Sequence, residues 1–328
     1  MSNTITLRSL FYISVLFVTS SIFSQKYDRV DNAVKLYPKS YSNPQQLASR
    51  INREFFTDED KVRAVFSWIA TNISYDWKLA VSQANDNQVA YYYTSEEERL
   101  IKMVKFQQDL TNKTIRSGMG VCQGYAALFH SVCDLMGIKC MDINGTSKSN
   151  TYNIGQLPKA SDHVWNAVKI DNSWKLIDVT WAAGAIDSRT NRFVYDFNDA
   201  YFFTSPDAFF LNHYPDDTQY LLTGRTEQDF ARLPLYYGSY LKAPYAFVSP
   251  DTGIFSNAKS KIIPFRIVDL PENHRVSYAF TGEIRGREPV IRRRGNLSEF
   301  EIEMDKRHKG FLTVFVNGES IVSYKIDR

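Results

Sequence analysis

Two β-rich runs, His163–Ile170 and Ser173–Trp181, are separated only by Asp171 and Asn172. Both intervening residues tolerate left-handed backbone, so the chain is predicted to close there into a tight hairpin. In a two-residue loop Ile170 faces Ser173, Trp165 faces Asp178 and His163 faces Thr180. His163 and Asp178 then become diagonal neighbours on one face, about 7–8 Å apart at the backbone and within reach of a histidine–carboxylate hydrogen bond. A third loop residue would turn them to opposite faces, because one residue of slip flips every side chain. The tight turn is therefore a condition of any chemistry that uses both.

A candidate nucleophile lies upstream. Cys122 sits in Gly-Val-Cys-Gln-Gly-Tyr-Ala, where a helix begins, and Tyr125, Leu128, Phe129, Val132 and Met136 supply its buried stripe as far as the stop at Gly137. A helix N-terminus places partial positive charge and free N–H groups beside a sulfur, which favours the thiolate. Gly118, Gly120 and Gly124 leave room for close substrate approach. Cys122, His163 and Asp178 thus form a candidate catalytic triad for acyl transfer. The Cys122 backbone N–H could stabilise an oxyanion, with Tyr75, Trp77 or Gln108 as candidate second donors.

Other elements follow from caps and periodicity. Thr57 and the acidic run after it open an amphipathic helix ending near Asn72, and the Ser95/Glu98 capping box opens another, predicted to run to about Leu110. Ile138–Ile143 reads as a strand, Asn144-Gly145 as a turn, Ser147–Ser161 as a polar loop, and the aromatic stretch Asp187–Pro215 as a cover for the sheet. Short strand-like runs at Ile262–Val268, Arg275–Phe280, Phe300–Met304, Phe311–Val316 and Ile321–Ile326, with an Asn317-Gly318 turn, predict a β-sandwich after a linker in Leu233–Tyr245. The expected class is α+β, divided into residues 1–24, 25–235 and 240–328.

Residues 1–24 read as a signal peptide: Arg8 precedes an apolar stretch, Leu10–Val18, and Ser24-Gln25 offers a cleavage point. The alternative is an uncleaved anchor, although the stretch is short for a membrane span. An exported protein is expected, whether periplasmic, at the cell surface or secreted. A net charge of +3 does not point to nucleic acid, and Arg292–Arg294 reads as a solvated strand or turn. Of the three cysteines, Cys133 and Cys140 could pair or could both be buried thiols. No CxxC pair or zinc-finger spacing is present, so neither a structural metal nor a cofactor is expected.

GVCQGYAALFHSVCDLMGIKC, INGTSK and DHVWNAVKIDNSWKLIDVTW resemble the transglutaminase-like superfamily, most nearly its kyphoscoliosis-peptidase-like branch. The likeness continues into KVRAVFSWIATNISYD and FFTSPDAFFLNHYPDD, and so covers about Phe56–Pro215. It implies a papain-like core, a cysteine helix packed on an antiparallel sheet, with chemistry through a Cys122 thioester, proton transfer by His163 and orientation by Asp178. The implied partner is a protein or peptide amide. Hydrolysis is the expected outcome, because water is abundant outside the cytoplasm. A crosslinking transglutaminase, or a non-catalytic scaffold that docks its β-sandwich on a cell-envelope partner, are the alternatives. Calcium control is not expected, since no DxDxDG loop occurs.

Overall fold

A computed structural model describes residues 26–85, 93–187, 189–256 and 261–327; the expected signal segment lies outside them. The first core is built on helices α1 (residues 26–34), α2 (Pro44–Glu54), α3 (Asp58–Asn72), α4 (Trp77–Asn85), α5 (Glu96–Ser117) and α6 (Cys122–Leu135). Thr57 caps α3 by accepting from the Asp60 N–H, as predicted. Helix α5 extends about two turns past the predicted end near Leu110. Thr111, Thr114 and Ile115 are buried there, and Gly118 closes the helix in left-handed conformation. Burial outweighs the weak helix propensity of the threonines.

Between and after these helices the chain forms β1 (Ser74–Tyr75), β2 (Met119–Gly120), β3 (Cys140–Ser147), β4 (His163–Ile170) and β5 (Ser173–Ile177). Helix α7 (Val179–Ala183), the small hairpin β6 (Gly184–Asp187) and β7 (Arg192–Tyr195), β8 (Phe202–Thr204), α8 (Pro206–Phe209) and β9 (His213–Pro215) complete this part. A five-stranded antiparallel sheet runs β8-β5-β4-β3-β9. The aromatic stretch predicted to cover the sheet instead supplies both of its edges, with α8 as the crossing.

The hairpin closes through Asp171 and Asn172, both in left-handed backbone, and Ile170 pairs with Ser173 as predicted. Asn144-Gly145 does not turn the chain. Both residues lie inside β3, and Gly145 is paired with His163 on one side and Pro215 on the other. A Cβ at Gly145 would sit 2.4 Å from the Trp165 ring and 2.3 Å from the Tyr214 carbonyl oxygen. The glycine marks a close approach within a sheet, the second meaning of glycine in a strand. The loop after it contains a short 3-10 turn, Thr151–Asn153.

Helix α9 (Glu227–Arg232) leads into a second β-rich region. Its strands are β10 (Leu235–Tyr236), β11 (Ala246–Ser249), β12 (Ile254–Ser256), β13 (Ile262–Val268), β14 (Val276–Phe280), β15 (Arg292–Arg294), β16 (Leu297–Glu303), β17 (Gly310–Val316) and β18 (Glu319–Asp327). One sheet runs β10-β18-β17-β14 with β12 also on β18; the other runs β11-β13-β16-β15. Phe265 of one sheet stacks on Phe300 and meets Tyr324 of the other edge-on at 5.5 Å, so the two sheets share a core. All five predicted strands are present. The predicted linker differs, since Leu235 and Tyr236 within it already pair with β18. The arginine run is an exposed edge strand.

Candidate active site

Cys122 is the first residue of α6, partly exposed, and follows Val121, which caps the helix without a side-chain hydrogen bond. Strand β1 pairs with β2 just before it, Tyr75 opposite Gly120, so the residues ahead of the thiol are tied to a neighbouring strand. Cys133 and Cys140 are buried free thiols in contact with one another rather than a disulfide.

The hairpin register brings the two other candidate residues together. His163 Nε2 lies 2.7 Å from Asp178 Oδ2, and the Cys122 sulfur lies within hydrogen-bonding reach of the same imidazole. A carboxylate only accepts, so His163 carries its proton on Nε2 and turns Nδ1 to the sulfur. The predicted strand Ser173–Trp181 ends earlier than expected, at Ile177. Asp178 is the N-cap of α7, with Oδ1 accepting from the Trp181 N–H at 2.9 Å. Oδ1 of this aspartate thus caps the turn while Oδ2 meets His163.

Charge settles the protonation states. Burial opposes a charged His163, but the Asp178 carboxylate, its hydrogen bond and the Cys122 sulfur outweigh it and raise the pKa to about 10. Burial likewise opposes ionisation of Asp178, yet His163 and then His213 hold its carboxyl well below the usual range. Tyr75 is pushed up to about 12 by burial and by the charges of Cys122, Asp178 and Asp76, so it stays a neutral O–H donor beside the thiol. Of the three second-donor candidates, Tyr75 is within electrostatic range of Cys122, whereas Gln108 sits on the exposed half of α5 and Trp77 is 39% exposed.

Sequence reasoning missed one residue. His213, almost completely buried, places Nε2 2.9 Å from the same Asp178 Oδ2. The only signal was an isolated histidine in the aromatic stretch FFLNHYPDD, whose place at the sheet edge β9 no local pattern reveals. His163, Asp178 and His213 set their ligand-type atoms within 4.8 Å of one another, which is also the make-up of a metal site. Here both imidazole N–H groups point at one oxygen, and an ion would have to displace those protons.

Residues 45–179 match the model of the transglutaminase-like superfamily. The human kyphoscoliosis peptidase is 35% identical over 178 residues, 54% of this chain and 24% of that protein. The fruit-fly protein Hillarin (Drosophila melanogaster) is 23% identical over 256 residues, 72% of this chain and 27% of that protein. The chain thus spans about a quarter of the length of the curated relatives it matches. A solved structure described as a TGase covers 48% of this chain and 36% of its own at 18% identity, with a TM-score of 0.29. Residues 45–179 thus carry a transglutaminase-like domain, and part of the chain is similar to the kyphoscoliosis peptidase.

Proposed function

We propose that this protein is an exported cysteine enzyme that cleaves protein or peptide amides through a thioester on Cys122. The observation that carries the reading is the Cys122–His163–Asp178 chain of contacts, with His163 held protonated beside the sulfur. In the reaction the Cys122 thiolate attacks the amide carbonyl and forms the carbon–sulfur bond. Negative charge on the carbonyl oxygen is met by the first amides of α6 and by the Tyr75 hydroxyl. His163 Nδ1 gives its proton to the leaving amine as the carbon–nitrogen bond breaks. Water then attacks the thioester and passes a proton to His163, and the carbon–sulfur bond breaks to release the acid and restore the Cys122 thiolate beside the protonated imidazole. Asp178 keeps the imidazole oriented throughout and offsets its charge. Among the described residues no helix is long and apolar enough to cross a membrane.

The deciding experiment compares cleavage of a peptide library with incorporation of a lysine-like amine into glutamine peptides. Cleavage by the wild type, lost in Cys122→Ala and in His163→Ala, is expected. Amine incorporation without cleavage would replace hydrolysis by crosslinking. Neither activity, together with iodoacetamide labelling of Cys122 no faster than in the denatured chain, would reduce the domain to a scaffold.

A further inference from the structure

Resting on that reading, we propose that His213 is a positioning residue of the site: its Nε2–H donates to Asp178 and locks the carboxylate that in turn orients His163. The geometry is specific. Asp178 has its Oδ1 fixed by the Trp181 N–H and its Oδ2 shared by two imidazoles, at 2.7 Å from His163 and 2.9 Å from His213. Because Oδ2 can only accept, His213 must carry its proton on Nε2. Without that donor Oδ2 would keep a single partner in a dry site, and only the Trp181 N–H on Oδ1 would help His163 hold the carboxylate in line.

The surroundings of His213 hold it to this one task. Its ring stacks on Phe209 at 4.0 Å, lies 4.6 Å from Trp181 and meets Trp165 edge-on at 5.0 Å. Its Nδ1 lies 3.3 Å from the Phe209 carbonyl oxygen, and with the single proton on Nε2 that nitrogen has none to donate there. The ionisable groups that face it are Asp178, His163 and, with rings 6.3 Å apart, Tyr201. Burial and the positive His163 keep His213 neutral against the pull of Asp178. A polar ring buried among three aromatic side chains is costly unless its nitrogen is used, and an apolar ring would fill the same space. The N–H toward Asp178 is what a phenylalanine there would lack.

The test is the rate of Cys122 alkylation by iodoacetamide between pH 5 and 9, read on the Cys122 peptide by mass spectrometry in the full chain. Wild type, His213→Phe and His213→Gln are compared. The glutamine Nε2 restores the donor, whereas phenylalanine restores the packing. Expected are fast wild-type labelling, a loss of about tenfold or more at pH 7 in His213→Phe, and a rate within about threefold of wild type in His213→Gln. A residue that only packs would give the reverse order. Wild-type rate and pH profile in His213→Phe overturn the proposal and leave the proposed function standing; a wild type as slow as its denatured chain overturns both. If His213→Phe does not fold, the imidazole nitrogen spectrum of the wild type decides. A neutral, Nε2-protonated His213 that does not titrate from pH 6 to 8 supports the proposal, and an Nδ1-protonated one overturns it.

Discussion

Asp178 answers to two masters, and its substitution should separate them. With asparagine, one side-chain oxygen can still cap α7, but the amide turns an N–H toward two imidazole donors. The linkage signs are opposite for the two partners. His163 has its folded pKa raised to about 10, so its stabilising contribution is complete below the unfolded value of about 6.5 and is lost as pH climbs through about 10. Asp178 has its folded pKa lowered, so its contribution is present above the unfolded value of about 3.9 and is lost as pH falls below it. The pair is therefore at full strength between about pH 4 and 6.5. Urea unfolding of Asp178→Asn should show a loss of about 3 kcal/mol in that window and a flatter profile outside it; a curve parallel to wild type from pH 3 to 10 would show the pair to be energetically idle. For Tyr75→Phe, kcat should fall about tenfold to a hundredfold with KM little changed, as expected of a donor that meets the substrate only at the oxyanion. An equal rise in KM with steady kcat would assign Tyr75 to ground-state binding. At this scale the proximity of Cys122, His163 and Asp178 was legible because each lies in a strong local pattern, a helix start or a tight hairpin. His213 was not, because it meets Asp178 across 35 residues of chain, and only the closing of the sheet by β9 makes them neighbours.

Among the elements, the hairpin was readable since Asp171 and Asn172 admit so few backbone solutions. Strand β3 was misread at Asn144-Gly145, where the same dipeptide that makes turns elsewhere serves a strand crossed by the Trp165 ring. Gly145→Ala should accordingly destabilise by about 1–3 kcal/mol, the cost of forcing a methyl group into packed surroundings. It should also slow catalysis, because β4 carries His163 directly opposite Gly145. A urea midpoint within error of wild type would mean that Trp165 and β9 yield freely. The extension of α5 teaches the converse lesson: Thr111 and Thr114 argue against a helix locally, and are overruled by burial and by the Gly118 cap.

The two cores of the molecule are bridged by a residue that looks ordinary in sequence. Lys148, fully buried at the end of β3, donates to the Phe230 carbonyl and, at 3.0 Å, to the Leu233 carbonyl, and lies over the Phe230 ring. Burial lowers its pKa to about 7. The unfolded lysine, near 10.4, binds more protons than the folded one between those values, so this group makes stability rise as pH increases from about 7 to about 10. Lys148→Met should remove that rise relative to wild type in urea unfolding across the same range; an unchanged slope would show that the ammonium stays charged in place. The β-rich class of the second region was legible from its alternating strands, but its topology was not, because β10 and β12 are too short to announce their pairing with β18. That pairing has a consequence for biosynthesis. All strands of the first sheet emerge between residues 140 and 215, so it can close while the chain is still growing. In the second, β18 is synthesised after every one of its partners yet lies between β17 and the β10/β12 edge. Strands β10 and β12 and the β18-facing edge of β17 must wait with those hydrogen bonds open until it arrives, and that interval is when chaperones and proteases have access to this sheet.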